Sequence, residues 1–125
     1  FQIYMGEDDN YTPPEPCVQM VSEINDGGGD ATITLYPRSF HSFDGPIPLH
    51  LMPDAYSWNN CKFKLNAVTK KVYDPVNADL EFSDPAARIS AYRSCAVKGD
   101  VMAGYSPEYK NAAHEDLGKL LPSLR

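Results

Sequence analysis

The sequence predicts an α/β protein whose N-terminal part is a βαβ unit with parallel strands. Two short segments of apolar and β-prone residues flank a segment with the apolar spacing of a helix, and turn-forming residues lie between them. A strand, a helix and a second strand in this order normally form a right-handed unit with parallel strands. The carboxyl ends of both strands then lie at one edge of the sheet, where open α/β sheets carry their functional residues.

The predicted unit begins with a strand at residues 1–5, continues with a helix at residues 12–25 and ends with a strand at residues 31–36. Thr12 is placed to cap the helix, and Glu15 completes a capping box three residues later. Apolar residues spaced i, i+3, i+4 and i+7 give this helix one buried face. Three consecutive glycines then end it.

Later segments are less regular. Residues 61–65 and 72–73 are predicted to form the two arms of a hairpin. A second helix is predicted to start near Pro85, with Ser83 or Asp84 as its cap, and to run to Gly99. A third is predicted to start at residues 106–108 and to end at residue 122.

Size and charge limit the classes of function. The chain has 125 residues, of which 42% are hydrophobic, enough for one domain with an apolar core. Its net charge of −6 disfavours nucleic acids and anionic membranes as partners. No apolar run approaches the roughly 20 residues that a transmembrane helix needs. We therefore expect neither a nucleic acid nor a membrane as partner.

Acidic residues and a histidine follow the two predicted strands. Asp8 and Asp9 lie in the turn after the first strand, and His41 lies in the loop after the second. The acids are explained either as exposed turn residues or as a carboxylate that orients a histidine. His41 is explained either by packing or by catalysis. An acid after one strand and a histidine after the next, in this chain order, favour the catalytic explanation.

Two stretches resemble the dienelactone hydrolase family of the α/β-hydrolase superfamily. Residues 6–17 (GEDDNYTPPEPC) match an acid turn of the form G-x-x-D-x-x-x-P, and residues 35–44 (LYPRSFHSFD) match a strand ending in Y-P with an H-x-F-D loop. The resemblance implies that Asp9 is the aspartate of a catalytic triad and that His41 is its histidine. If the acid turn aligns with the family's motif one residue out of step, Asp8 is the triad aspartate instead of Asp9.

This resemblance implies a partial α/β-hydrolase fold that corresponds to the C-terminal portion of such an enzyme. The expected organisation is a single domain, residues 1–125, with a βαβ part at 1–44, an irregular insertion at 45–83 and a helical part at 84–125. The family's nucleophile motif, G-x-C-x-G or G-x-S-x-G, does not occur in the sequence. The expected function is therefore part of a carboxylic ester or lactone hydrolase that lacks its nucleophile and is inactive alone. No cofactor and no metal are implied.

Two alternatives remain open. A sheet of two strands leaves an apolar edge at residues 1–5, which we expect a missing N-terminal portion or a homo-oligomer partner to cover. The first alternative is that the chain is a non-catalytic binding or structural module that oligomerises through this edge. A metal site built from Asp8, Asp9, His41 and Asp44 is the other alternative, although the pattern matches no established calcium or zinc loop.

Three cysteines leave the cellular compartment open. Cys17 lies on the apolar side of the first predicted helix, which indicates a buried thiol. The spacing of Cys61 and Cys95 fits either a disulfide or two free thiols, and a disulfide indicates an oxidising compartment. The sequence around these two cysteines resembles a longer, secreted-type branch of the family. A periplasmic or secreted location is therefore expected, with a cytoplasmic location as the alternative.

Overall fold

A computed structural model describes residues 1–66, 68–73 and 84–124 of the chain. The chain divides into two compact units, one comprising Phe1–Ala55 and Asp100–Arg125, the other Tyr56–Gly99. A short 3₁₀ helix at Leu121–Leu124 follows the last α-helix. In chain order the other elements are β1 (Gln2–Gly6), α1 (Glu15–Asp26), β2 (Thr32–Tyr36), β3 (His50–Ser57), β4 (Lys64–Leu65), β5 (Val72–Tyr73), α2 (Pro85–Cys95), β6 (Val97–Ala103) and α3 (Tyr109–Leu120).

The first unit begins with the predicted strand, helix and strand. β1 and β2 pair in parallel, in a register that places Gln2 opposite Thr32 and Gly6 opposite Tyr36. α1 connects the two strands. Because the strands are parallel, both end at the same edge of their sheet. The segments that follow them are therefore neighbours.

The prediction of a partial α/β-hydrolase fold is wrong. That fold needs one sheet of several adjoining strands, whereas the described strands form three separate two-stranded sheets: β1 with β2, β3 with β6, and β4 with β5. The β-forming segments after residue 44 pair with each other and do not extend the parallel sheet. The described part of the chain is instead a mixed structure of three helices and small sheets.

β3 and β6 differ most from the prediction. Residues 45–83 were expected to be irregular, yet β3 occupies eight of them. α2 ends at Cys95, earlier than predicted, and β6 begins at Val97. Gly99 therefore lies within a strand and does not end a helix. The predicted hairpin is confirmed in its pairing, because β4 and β5 pair antiparallel, but its first arm is Lys64–Leu65 and not residues 61–65.

The N-terminal caps of the helices agree only in part with the prediction. Pro14 is the N-cap residue of α1, and no side chain caps this helix, so the predicted capping box is wrong. The Asp84 carboxylate caps α2 by accepting from the Ala86 amide at 3.0 Å. Ser83, the other predicted cap, lies outside the described residues. At the start of α3 the Tyr109 amide lies 3.4 Å from the Ser106 hydroxyl oxygen.

An aromatic cluster forms the core of the first unit. Tyr36 at the end of β2 and Phe43 are both buried, with their ring centroids 5.0 Å apart. Ala113 of α3 packs against them. The Tyr36 hydroxyl also donates to Asp116 of α3 at 2.8 Å. Burial of a ring such as that of Phe43 contributes about 2 kcal/mol, so this cluster fixes the segment that contains residue 41.

The second unit is held by a disulfide and by aromatic contacts. Cys61 and Cys95 form the disulfide that the sequence left open, with their Cα atoms 5.1 Å apart. The Tyr92 ring of α2 lies 5.8 Å from the Trp58 ring and 5.4 Å from the Phe63 ring, both edge to face. These contacts attach α2 to the segment around residues 58–63.

Candidate active site

The two predicted site residues lie on adjacent loops beyond the carboxyl ends of β1 and β2. The acid turn, residues 7–12, follows β1 and carries Asp9. The histidine loop, residues 37–46, follows β2 and carries His41. Because both loops start at the same edge of a parallel sheet, their side chains can meet there.

The backbones of the two loops approach each other closely. The Glu7 amide donates to the Tyr36 carbonyl, and the Asp8 amide donates to the Ser39 carbonyl, each at 3.0 Å. A Cβ atom on Gly6 would lie 2.3 Å from the Ser39 carbonyl oxygen. Only glycine fits at this position, because no side chain can occupy the space that the histidine loop already fills.

The structure brings Asp9 and His41 together. Nδ1 of His41 lies 3.0 Å from Oδ2 of Asp9. The Asp9 side chain is 6% exposed and the His41 side chain is 32% exposed, so the carboxylate is enclosed while the imidazole reaches solvent. Asp8, the alternative residue, has an exposed position and contributes its backbone amide to the junction of the loops.

Four hydrogen bonds fill the acceptor positions of the Asp9 carboxylate. Oδ1 accepts from the amides of Tyr11 and Thr12 at 2.9 and 2.8 Å. Oδ2 accepts from the Thr12 hydroxyl at 2.8 Å and faces Nδ1 of His41 at 3.0 Å. A carboxylate has about four acceptor positions, so Asp9 is fixed in orientation and is surrounded only by donors.

This network assigns the tautomer of His41. An ionised carboxylate accepts hydrogen bonds and donates none, so the Nδ1 atom that faces Asp9 carries the proton. In the neutral ring Nε2 then has a free lone pair. An imidazole held in this way can take a proton at Nε2 while the carboxylate stabilises the cation that forms.

Tyr11 and Thr12 complete the surroundings of the imidazole. The Tyr11 ring packs edge to face against His41, with centroids 4.8 Å apart and planes at 90°. The Thr12 hydroxyl oxygen lies 3.1 Å from Nδ1 of His41. The imidazole is therefore contacted by three residues of the acid turn, which limits its rotation.

The acid turn is also attached to β6. The Asn10 side chain donates to the Asp100 carbonyl at 3.0 Å and accepts from the Met102 amide at 3.1 Å. Just beyond β6, the Gly104 amide donates to the His41 carbonyl at 2.8 Å. One stretch of backbone thus holds both the turn that carries the acid and the loop that carries the histidine.

Sequence reasoning missed three residues of this site. Thr12 was predicted as a helix cap, and Asn10 and Tyr11 had no predicted role. The order Asp9, two residues, Thr12 is itself a signal, because Asp side chains commonly accept from amides two and three residues ahead in a turn. No local signal exists for Asn10, whose partners lie in β6.

The metal alternative has no support in the described residues. Over residues 1–66, 68–73 and 84–124, no three His, Cys, Asp or Glu side chains are grouped so that they could hold a metal ion. Asp44, one of the residues named for such a site, is exposed. In the same residues, no helix combines the length and the apolar composition that crossing a bilayer requires.

Comparisons with protein-family models, curated proteins and solved structures found no match. They do not identify the dienelactone hydrolase family. The function is therefore inferred from the geometry of Asp9 and His41, together with the motifs in residues 6–17 and 35–44.

Proposed function

We propose that Asp9 and His41 are the acid–base pair of a triad-type hydrolase that cleaves carboxylic esters or lactones. We further propose that the nucleophile comes from polypeptide outside these 125 residues. The single observation that carries the proposal is the 3.0 Å contact between Nδ1 of His41 and Oδ2 of Asp9. It leaves Nε2 as the free base on a partly exposed ring.

The proposed chemistry is acyl transfer through a covalent intermediate. Nε2 of His41 removes the proton from a serine hydroxyl or cysteine thiol as its oxygen or sulfur attacks the carbonyl carbon of the substrate. The imidazolium then donates this proton to the leaving alkoxide, which departs as an alcohol from an ester and stays attached as a hydroxyl group when a lactone ring opens. Water attacks the acyl intermediate in the same way and releases the acid. Asp9 stabilises the imidazolium in each half of the reaction.

The substrate class and the cellular compartment are supported less directly than the acid–base pair. The geometry of the pair suits acyl transfer in general, and the resemblance of residues 6–17 and 35–44 narrows this to esters and lactones. The disulfide between Cys61 and Cys95 favours an oxidising compartment. We therefore propose a periplasmic or secreted hydrolase.

Among the described residues, Ser106 and Cys17 were the candidates weighed as nucleophiles, and neither lies on a nucleophile turn. Ser106 follows Gly104 and Tyr105 in a partial match to the nucleophile motif, but its hydroxyl lies against the first amide of α3. Cys17 is the third residue of α1, and its amide donates to the Pro14 carbonyl at 2.9 Å, so it lies inside the first helical turn and not on a tight turn. These positions support a nucleophile supplied from elsewhere.

The outer edge of β1 offers a place for that polypeptide to attach. Within the described residues β1 pairs with β2 alone. The Phe1 carbonyl and the Glu7 amide bond towards β2. In a parallel strand the N–H and C=O groups of one residue face one edge, and those of the next residue face the other. The N–H and C=O groups of Gln2 and Tyr4 therefore face the opposite edge. A strand of the polypeptide that carries the nucleophile would satisfy them.

The proposal is tested by comparing the protein expressed from its complete natural reading frame with the 125-residue chain. With short-chain 4-nitrophenyl esters and aryl lactones, we expect turnover by the former and none by the latter. His41→Ala or Asp9→Ala should abolish turnover, whereas His114→Ala on α3 should not. A serine-directed or thiol-directed covalent probe should label the active protein.

Three results would overturn the proposal. The first is hydrolysis by the complete protein that survives His41→Ala. The second is turnover by the 125-residue chain alone that depends on His41, which would contradict the external nucleophile. The third is a complete protein that is inactive and self-associates through β1, which would favour the non-catalytic module. Comparing the solution mass of the wild-type protein with that of Tyr4→Pro, which removes an amide from the outer edge of β1, identifies that case.

A further inference from the structure

Thr12, Asp9 and His41 form a closed triangle of polar contacts. The Thr12 hydroxyl oxygen lies 2.8 Å from Oδ2 of Asp9 and 3.1 Å from Nδ1 of His41. The third side, from Nδ1 to Oδ2, is 3.0 Å. Every atom of the triangle is thus within hydrogen-bond distance of both others.

Only two protons, one on the Thr12 hydroxyl and one on Nδ1 of His41, are available for these three contacts. The Thr12 hydroxyl donates its proton to Oδ2 of Asp9, which leaves its oxygen lone pairs facing His41. The Nδ1 proton of His41 is then shared between Oδ2 and the hydroxyl oxygen. If Nδ1 were bare, its lone pair would face a carboxylate oxygen at 3.0 Å with no proton between them.

We propose that Thr12 is a positioning residue for His41. Its hydroxyl gives the Nδ1 proton a second acceptor, so rotation of the imidazole away from the acid turn breaks two hydrogen bonds and not one. It also ties Oδ2 of Asp9 to the turn. The ring is thereby held in one orientation in both its neutral and its protonated form. This inference rests on the proposed function only in one respect, namely that Nε2 acts as the catalytic base.

The experiment measures the His41 side chain by nitrogen-15 NMR in the 125-residue protein. The two observables are the ring nitrogen shifts, which report the tautomer, and the exchange rate of the Nδ1 proton with water. In Thr12→Val, which keeps the shape but removes the hydroxyl, we expect exchange to rise by about fivefold or more. The Nε2-protonated tautomer should also become detectable.

Two control variants distinguish a loss of His41 positioning from a general loss of stability. Thr12→Ser restores the hydroxyl and should stay within about twofold of the wild-type exchange rate. Thr32→Val removes an exposed hydroxyl from β2 and should leave His41 unchanged. If Thr12→Val matches the wild-type protein in both observables, the inference is overturned.

A measurement without substitution covers the case in which Thr12→Val does not fold. In the wild-type protein the non-exchanging β and methyl protons of Thr12 should show nuclear Overhauser effects to the His41 ring, because the Thr12 hydroxyl oxygen lies 3.1 Å from Nδ1. Their absence would overturn the inference. These results do not depend on turnover, so inactivity towards esters would contradict the proposed function and leave the positioning of His41 intact.

Discussion

Asn10 and His41 are hydrogen bonded to the same stretch of backbone, from Asp100 to Gly104. The Asn10 side chain bonds to the Asp100 carbonyl at 3.0 Å and to the Met102 amide at 3.1 Å, and the His41 carbonyl accepts from the Gly104 amide at 2.8 Å. β6 and the Gly104 amide that follows it therefore hold together two loops that are far apart in sequence. The acid–base pair depends on a strand that contributes no side chain to it.

Removal of the Asn10 side chain should loosen this attachment. We expect Asn10→Ala to lower the free energy of unfolding by about 1 kcal/mol, because two hydrogen bonds at an exposed position are replaced by bonds to water. Hydrogen exchange of the Met102 amide should rise by about fivefold or more. Asn111→Ala, on the exposed side of α3, is the control: it should leave the Met102 amide unchanged and should not lower the free energy of unfolding, because alanine favours a helix more than asparagine does. An unchanged Met102 amide in Asn10→Ala would contradict the attachment.

A methyl group at Gly6 should separate the acid turn from the histidine loop. The added Cβ would lie 2.3 Å from the Ser39 carbonyl oxygen, which is backbone and cannot move aside cheaply. We expect Gly6→Ala to cost about 2 to 3 kcal/mol in urea unfolding. Gly118→Ala is the matched control, because nothing lies within 4 Å of its added methyl group. This substitution inside α3 should stabilise by about 0.5 to 1 kcal/mol. Equal effects of the two substitutions would refute the close approach.

The bond between Tyr36 and Asp116 should make stability depend on pH at both extremes. The Tyr36 hydroxyl, and then Lys119, hold the pKa of Asp116 below its ordinary 3.8. This stabilisation is complete above the ordinary value and is lost as the pH falls through the lowered one. Burial, and then the bond to Asp116, raise the pKa of Tyr36 above its ordinary 10.0. That contribution is complete below pH 10.0 and is lost as the pH rises through the raised value.

Tyr36→Phe tests this dependence. We expect the curve of unfolding free energy against pH to be flatter in the variant than in the wild-type protein at both the acid and the alkaline end. Tyr105→Phe, in the same unit, should follow the wild-type curve. Wild-type and Tyr36→Phe curves that run parallel over the whole range would show that the bond has no thermodynamic effect.

The second unit should depend on its disulfide. The bond between Cys61 and Cys95 closes a loop with a sequence separation of 34 residues, for which the chain-entropy model gives about 4 kcal/mol. We expect the double variant Cys61→Ser/Cys95→Ser to unfold its second unit at a much lower urea concentration, as followed by the fluorescence of Trp58 when it loses its contact with Tyr92. Cys17→Ser is the control and should leave the Trp58 transition unchanged. Coincident transitions for all three proteins would contradict the prediction.

Local patterns in the sequence predicted that an acid of the turn after β1 would lie near His41, and the resemblance of residues 6–17 then selected Asp9 over Asp8. A strand that ends at Gly6 and one that ends at Tyr36, joined by a helix, are recognised from neighbouring residues alone. Parallel pairing then places the two following loops side by side. The prediction that an acid of this turn lies near His41 therefore required only that the two strands pair in parallel.

Other features could not be predicted because they depend on distant contacts. β6 contains Gly99 and shows no alternation of apolar and polar residues, so its sequence fits the end of a helix as well as a strand. Its pairing with β3 and with Asn10 decides between the two. Thr12 precedes Glu15 by three residues, which is the pattern of a capping box. In the structure the Thr12 hydroxyl donates to the Asp9 carboxylate, and α1 starts at Glu15, later than the capping box predicts.

The most direct test of the account is the tautomer of His41, measured by nitrogen-15 NMR in the wild-type protein and in two single variants. We predict that Nδ1 carries the proton in the neutral ring of the wild-type protein and of Asp8→Asn. In Asp9→Asn, which replaces a carboxylate oxygen by an amide group, we predict that this preference is lost. A wild-type ring protonated at Nε2, or a preference that changes in Asp8→Asn and persists in Asp9→Asn, would contradict the pairing of Asp9 with His41.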